Sequence, residues 1–523
     1  MYKIFSPKFL PKLIIVLLLI AEFGLMIWGV LYLTNIFTDE KAVSVFVIIL
    51  FVLNTLVDIY IVNSKSEGIY KLTWMFFVNA LPLFGILLYL LFANKTTSHS
   101  QRNKYERWRS YVMRGKTDEE VKKNLDSKFP EVAPMRRYLQ TVAYGAMYQQ
   151  TSTKYYPIGD LFFPDFLEDL KKAKHFIFLE FFIYAPGKMW DQTLAILEQK
   201  AKEGVDVRLI YDDVGSYGTL PYHYDLFLKS RGIHCAVFEP MRPFTDIRLN
   251  NRDHRKIIVI DGVIGYSGGC NFADEYINQK VRFGLWKDNM VRLFGRGVEG
   301  YTMLFLSTWN SITQPKPSPK IDLSGFESAR CIAEYGGYPE SDGFVQPYGD
   351  LPYDKEAVGE NVYLDLIGKA QKTIYISTPY LILDEMMTKA LVNAAKMGVD
   401  VHIVMPHIPD KKAVFHVSRS YYGDLLQGGV HIHEFKPGFV HAKTFLVDGV
   451  YATVGSVNLD YRSLYLHLEN GTLLVGCSCL ADMEKDFKET MNQCEEITLK
   501  RWDGWHQRNM TYWAVLRLLT PLM

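Results

Sequence analysis

Hydrophobic and polar positions are unevenly distributed along this chain. Three apolar runs follow one another near its start, Leu13 to Leu33, Val43 to Val62 and Leu72 to Phe92. Each has about the 20 residues that an α-helix needs to cross a bilayer core. The third carries Pro82 and Gly85 but no ionisable side chain, and membrane helices accept such residues better than soluble ones do. Glu22 and Asp58 burden the first two runs. A central carboxylate costs roughly 2.5–3.5 kcal/mol of insertion, and Asp58, close to an end, costs less. Two readings stand for Glu22: a carboxylate protonated or paired between helices, or a first run that only lies at the interface. The pattern predicts two to three transmembrane helices within 1–95, over 13–33, 43–62 and 72–92. The first run is too long for a cleaved signal peptide and lacks a small-residue cleavage site.

After residue 95 the pattern changes. Over 96–150 a basic amphipathic linker is expected, because Tyr105, Trp108 and Tyr111 or Val112 recur at helical spacing among Arg and Lys. That spacing suits an interfacial helix or one packed on the domain that follows. From there the chain repeats itself. Ala173 opens the apolar run His175 to Tyr184, a helical stretch follows, and Lys202-Glu-Gly-Val-Asp-Val-Arg-Leu-Ile210 closes it. Ala370 opens Thr373 to Tyr380, and the matching end is Lys396-Met-Gly-Val-Asp-Val-His-Ile-Val404. Each copy reads as strand, helix, Gly stop, strand, which is a βαβ unit. Strands alternating with helices imply an α/β fold. The expected domains are 151–315 and 353–500, joined by a Pro- and Gly-containing linker at 316–352. An amphipathic tail at 501–523 is apolar from Trp513 onward but too short to span, and docks on protein or lipid.

Composition narrows the partners. A chain of 523 residues exceeds one ordinary core, and a net charge of +1 gives no general electrostatic case for nucleic acid. Six cysteines, Cys235, Cys270, Cys331, Cys477, Cys479 and Cys494, show no CxxC spacing, which fits a reducing compartment. Lys3, Lys8 and Lys12 argue for a cytoplasmic N-terminus, whereas Lys95, Arg102, Lys104, Arg107 and Arg109 place the following domains there. Three full spans cannot satisfy both. The larger cluster and the cysteines favour cytoplasmic domains.

The repeat also carries chemistry. One copy reads His254-Arg-Lys256-Ile-Ile-Val-Ile-Asp261, then Gly268-Gly-Cys-Asn271; the other reads His441-Ala-Lys443-Thr-Phe-Leu-Val-Asp448, then Gly455-Ser-Val-Asn458. Both fit H-x-K-x4-D-x6-G-[GS]-x-N. On a strand, residues i and i+2 share a face, so each His and Lys point the same way. Asp-Gly at 261–262 and 448–449 is a favoured turn dipeptide, after which a second strand brings the glycines and Asn back beside the His. Asp261 and Asp448 therefore fit two roles, turn chemistry and catalysis. Glycines allow close backbone approach to a ligand such as phosphate. At the tails of the repeats Leu285-Trp-Lys-Asp288-Asn289 matches Leu466-His-Leu-Glu469-Asn470, so two carboxylates coincide. His402, His407, His431 and His433 show no convincing ligand cluster and read as structural or exposed.

The doubled motif resembles the phospholipase D superfamily, and most of all its cardiolipin synthase branch. The likeness extends to Val207-Arg-Leu-Ile-Tyr-Asp-Asp-Val-Gly215, Asn251-Arg-Asp-His-Arg-Lys256, the apolar N-terminus and the ending Pro521-Leu-Met523. It implies two phospholipase D-like domains, each a mixed sheet flanked by helices, packed face to face around one shared site. It implies a membrane-bound phosphatidyltransferase that joins two phosphatidylglycerol molecules into cardiolipin with release of glycerol, and no nucleic-acid partner. His254, Lys256, Asp261, His441, Lys443 and Asp448 are the implied catalytic residues. Asn271 and Asn458 bind phosphate oxygens, and Asp288 and Glu469 orient the imidazoles. No metal or other cofactor is implied. A hydrolytic phospholipase D would use the same residues with water as acceptor, and other phospholipid donors or acceptors fit the same motifs. A lipid-binding scaffold would have lost a motif position, and none is lost.

Overall fold

The computed structural model describes residues 40–64, 66–93, 99–113, 115–240, 250–318, 323–354 and 356–522. Residues up to Lys95 and those from Thr96 onward form two compact units.

In the first unit one helix spans Glu40–Asn63, and the expected second run, 43–62, falls within it. Asp58, the carboxylate in that run, accepts a hydrogen bond from Asn79 Nδ2 at 2.9 Å. The third run is not one helix. It is divided into Gly68–Ala80, Pro82–Leu88 and a π-helical turn Tyr89–Ala93. Leu81 leaves the helical region at φ −134° and ψ 76°, and Pro82, with no N–H to give, starts the next helix at its first position. Among the described residues no helix is long and apolar enough to cross a membrane. The first run, 13–33, lies outside the described residues.

The second unit holds two mixed sheets. The first contains β1 (Thr151–Tyr156), β2 (Phe176–Phe181), β3 (Asp206–Asp212), β4 (His234–Phe238), β5 (Lys256–Ile260), β6 (Ile264–Gly268) and, after the short β7 (Leu285–Lys287), β8 (Met290–Gly295). Its order is β1-β8-β6-β5-β2-β3-β4. The second is built from β9 (Phe344–Asp350), β10 (Thr373–Ser377), β11 (Asp400–Pro406), β12 (His431–Phe435) and, beyond the short β13 (Gly438–Val440), β14 (Thr444–Val447), β15 (Tyr451–Gly455), β16 (Glu469–Val475) and β17 (Cys494–Glu496). Its order is β17-β12-β11-β10-β14-β15-β16-β9.

The repeat is visible in both sheets. β2 pairs parallel with β3 across the helix Lys188–Lys202, and β10 with β11 across Glu385–Lys396. Each motif strand then turns back on itself, β5 to β6 and β14 to β15, through an Asp-Gly turn with all four residues at positive φ. The sheets share an apolar layer. Phe178, Ile257, Val259 and Leu293 of the first belong to one buried cluster with Val404, Leu446, Val454 and Leu474 of the second.

One segment differs from expectation, and two take one of the forms left open for them. Residues 99–142, expected as a basic linker, form the helices His99–Val112, Glu119–Lys128 and Ala133–Val142. Tyr105, Trp108 and Val112 are buried in the shared layer, and Tyr105 Oη lies 3.1 Å from Thr308 Oγ1 on the helix Val298–Thr313. Residues 344–350, expected within a linker, are the edge strand β9. The chain end, expected as a tail, forms the helix Leu499–Leu519 docked on protein. Trp502 Nε1 gives its hydrogen to Arg419 O at 2.8 Å on the helix Lys412–Gln427, and Trp513 and Leu516 are buried.

Candidate active site

Each motif histidine sits just ahead of its strand, on a segment stitched to the opposite half. Asp253 pairs with Leu468, and His254 N donates to Leu468 O at 2.9 Å. In the other copy β13 pairs parallel with β7, and His441 N donates to Lys287 O at 2.7 Å. The asparagines that follow the two carboxylates also cross. Asn289 Nδ2 donates to Thr444 Oγ1 at 2.6 Å, and Asn470 Nδ2 donates to Ser267 Oγ at 2.7 Å.

This stitching exchanges the acids between the histidines. His254 Nδ1 lies 3.0 and 3.1 Å from the two oxygens of Glu469, and His441 Nδ1 lies 2.6 Å from Asp288 Oδ2. Each imidazole is held by the carboxylate of the other half. With the proton on Nδ1, each Nε2 keeps its lone pair. The carboxylates are fully buried and further fixed, Glu469 by Ser456 Oγ and Asp288 by the Asn289 amide at 2.9 Å. Ser456 occupies the motif place of Gly269. A Cβ at Gly269 would lie 2.0 Å from Asp288 Oδ1, so the bare glycine makes room for the acid that holds His441.

The lysines complete the cluster. Lys256 and Lys443 are buried, and each Nζ donates to the backbone carbonyl of its own histidine, His254 or His441. Lys443 Nζ also lies 2.8 Å from His441 Nδ1. That nitrogen's hydrogen goes to Asp288, and the ammonium's to the carbonyl. Burial sets the electrostatics. It brings Lys256 down to about 7, with Glu469 pulling it back up, and Lys443 down to about 8, opposed by Asp288. Burial and then Lys256 hold His254 well below the usual imidazole range; burial and then Lys443 bring His441 to about 4. Burial lifts Glu469 to about 8 against the pull of Lys256. Both imidazoles are thus neutral at pH 7. The site favours an entering anion, which restores charge to the lysines.

The other expected residues fall into two groups. Asp261 and Asp448 do not reach the cluster. They lie at the far ends of β5 and β14, roughly 15 Å along the strand from the histidines. Asp261 accepts the amides of Lys174, His175 and Phe176 at 2.7–2.9 Å, and Asp448 those of Gln371, Lys372 and Thr373 at 2.8 Å. Their geometry is that of the turn and of the starts of β2 and β10. Of the two roles open to them, turn chemistry and catalysis, these contacts are those of the turn. Asn271 and Asn458 are buried beside the site, and each gives an amide hydrogen to a hydroxyl of its own half, Tyr276 Oη at 2.6 Å and Ser463 Oγ at 3.1 Å.

Sequence spacing also misses several supports. Asp212 takes Arg252 Nε at 2.9 Å and the Asp253 amide at 2.9 Å, while the fully buried Arg255 bridges Asp253, Thr308 and Glu180. These bonds clamp the backbone on both sides of His254. His467 is a third imidazole at the site, its ring 5.6 Å from that of His254 and its Nδ1 3.8 Å from Glu469 Oε1. His254, His467 and Glu469 offer donor atoms within 4.8 Å of one another, the spacing of a metal site. Arg462, Lys256 and Arg252 all bear on His467, and such a cationic wall suits an anion better than a divalent ion.

The family model "Cardiolipin synthase, PLD-like domain" matches residues 166–289 and 363–491. The cardiolipin synthase of Geobacillus kaustophilus is 32% identical over 515 residues, covering 96% of this chain and 99% of that protein. The chain belongs to the cardiolipin synthase family of phospholipase D-like phosphatidyltransferases. Cardiolipin synthase 2 of Bacillus anthracis is 33% identical over 86% of each chain. Among solved structures, phosphatidylserine synthase of Haemophilus influenzae superposes with a TM-score of 0.54 at 15% identity, covering 71% of this chain and 95% of that one. At that identity the likeness is one of fold.

Proposed function

We propose that this family member is a cardiolipin synthase that joins two phosphatidylglycerol molecules through a phosphatidyl-histidine intermediate. The observation that carries the reading is the exchanged pairing of two imidazoles, neutral in the free enzyme, each aimed by the acid of the other half and each with a buried lysine beside it. Nε2 of His254 attacks phosphorus, the bond to the glycerol oxygen breaks, and His441, which takes up a proton on Nε2 as the lipid's anionic phosphate enters beside it, gives that oxygen its proton. His441 then takes the proton from a hydroxyl of the second phosphatidylglycerol. The resulting alkoxide attacks phosphorus, the P–N bond breaks and cardiolipin leaves. Lys256 and Lys443 hold the phosphoryl oxygens, and a remaining amide hydrogen of Asn271 and of Asn458 faces the same charge.

Attachment to the membrane, with the domains on its cytoplasmic side, belongs to this reading. The helix Glu40–Asn63 supports it, for Val47, Ile48, Phe51 and Leu56 are 57–71% exposed along it, an apolar surface that lipid would cover. Purified protein incubated with labelled phosphatidylglycerol vesicles, without added metal, tests the chemistry. Cardiolipin and glycerol as products support the proposal. Phosphatidic acid instead makes the protein a hydrolase, and unchanged lipid a scaffold. Retention in the pellet after alkaline extraction, lost when residues 1–95 are removed, tests the attachment.

A further inference from the structure

The four histidines that spacing leaves without a shared role divide in the fold into one and three. His407 Nδ1 lies 3.0 Å from Glu434 Oε2, on a buried carboxylate that Arg419 also grips at 2.6 and 2.8 Å. The other three come together on the second sheet. β11 and β12 run parallel with His402 opposite His431, and His433, two residues on, shares their face. Asp400, two residues before His402, lies on that face too, and β17 brings Glu496 opposite His433.

The side chains touch in sequence. Asp400 presents one oxygen to His402 Nε2 at 2.9 Å and the other to His431 Nε2 at 3.7 Å. The outer ring nitrogens have partners of their own: His402 Nδ1 lies 3.0 Å from His433 Nε2, and His431 Nδ1 lies 2.8 Å from Glu496 Oε1. The two rings stack with centroids 5.0 Å apart. Protonating both would set like charges face to face over one carboxylate. A divalent ion resolves the same arrangement differently, because it takes both Nε2 lone pairs and the carboxylate while the imidazoles stay neutral. An imidazole whose far nitrogen is engaged by a carboxylate or another acceptor is oriented for ligation. Asp400 and His431 are about half exposed, at 54% and 45%, which leaves an entry path and room for water as a further ligand. Bonds of about 2.0–2.1 Å to zinc require the side chains to close in from these separations.

We propose that His402, His431 and Asp400 form a surface site for a late first-row transition-metal ion of the zinc class, with His433 and Glu496 orienting the two ligating rings. Imidazole nitrogen selects such ions over Mg²⁺ and Ca²⁺, which prefer oxygen. The site is independent of the lipid chemistry, and its ion ties β11 to β12 beside the edge strand β17.

The test uses the full-length protein in detergent, stripped with chelator and titrated with Co²⁺ and Zn²⁺ by calorimetry and by the Co²⁺ visible spectrum. One equivalent is expected, with a Co²⁺ spectrum showing nitrogen ligation. His431→Ala and Asp400→Asn should each weaken binding at least tenfold, and Glu496→Gln about 10- to 100-fold, while phosphatidylglycerol turnover stays unchanged in all three. Melting curves with and without Zn²⁺ verify that the variants fold and should show a metal-dependent rise only in the wild type. No binding up to about 100 times the affinity range of protein zinc sites overturns the proposal. So does binding that survives His431→Ala and Asp400→Asn but is lost in His467→Ala, which would place the ion in the catalytic cleft.

Discussion

Replacing Glu469 by Gln isolates the exchanged pairing, since it removes the capacity to carry a negative charge without removing volume. Glu469 is fully buried, 3.0 Å from His254 Nδ1, and lies in the half of the chain that does not contain His254. Burial lifts Glu469 to about 8 in the free enzyme, so its charge is drawn out as the ring beside it becomes positive, and hydrogen bonds to charged groups are worth about 1.5–3 kcal/mol. That interaction strengthens as His254 acquires positive character on bonding to phosphorus. Its loss should therefore appear in the rate of the first step, by about 10- to 150-fold at 1.36 kcal/mol per decade. Asp288→Asn removes the same charge from His441 and should instead impair proton delivery and removal. A phosphatidyl analogue with an activated leaving group separates the two. It needs no acid, so Asp288→Asn should label at nearly the wild-type rate and accumulate acid-labile phosphate on the protein. Glu469→Gln should label slowly whatever the leaving group. The opposite pattern, with slow labelling in Asp288→Asn and accumulation in Glu469→Gln, would refute the exchanged assignment and make His441 the nucleophile.

Further consequences are direct. In the free enzyme Lys256 is charged only below about 7 and Lys443 only below about 8, so kcat/KM should fall as pH rises through that window. Lys256→Arg, which keeps its charge, should carry its share of the limb to higher pH, and a flat profile from pH 6 to 9 would count against the lysine clamp. Gly269→Ser forces a Cβ against the Asp288 carboxylate and should lower activity per folded molecule as much as Asp288→Asn. Asp261→Ala leaves three strand-start amides and the Tyr335 hydroxyl without their acceptor, at a cost of about 1–3 kcal/mol, so denaturant melts should show lost stability while kcat per folded molecule is retained. Trp108→Ala opens a cavity under the Val298–Thr313 helix and should cost about 3–5 kcal/mol by the same measurement.

What the sequence makes legible are features stated locally. The βαβ units follow from one apolar run, one helical stretch and one Gly stop, and the hairpins from Asp-Gly, because a turn is decided within a few residues. The partners of the histidines are not decided that way. Aligning the repeats shows that Asp288 and Glu469 are equivalent, but equivalence within each copy says nothing of which histidine each one faces; that depends on β7 lying beside β13. Strand β9 is illegible for another reason. Pro347 and Gly349 read as linker, yet β9 lies at the end of its sheet, paired along its length with β16 and on its other side only by a bridge from Val345 to Tyr148, so a proline there costs little. The spacing of Tyr105, Trp108 and Val112 defines a helix face without saying what covers it. His402 and His431 become neighbours only through the parallel pairing of β11 with β12.

The two copies are alike in motif and unlike in surroundings, and the difference bears on which histidine attacks. A single phosphorus accepts one nucleophile at a time, so two equivalent sites are of no use to the reaction unless they diverge. Around His254 stand the longer acid Glu469, Ser456 donating to that acid, His467 beside it and the Asp212–Arg252 clamp on the backbone. The acid, its serine and the backbone clamp restrict the ring's motion, as a nucleophile that must be aimed at phosphorus requires. Around His441 stand the shorter Asp288, a bare Gly269, and Lys443 2.8 Å from Nδ1. Lys256 bears on His254 as Lys443 bears on His441, so the difference between the copies lies in how firmly each ring is held. The asymmetry therefore supports His254 as nucleophile and His441 as the group that carries the proton.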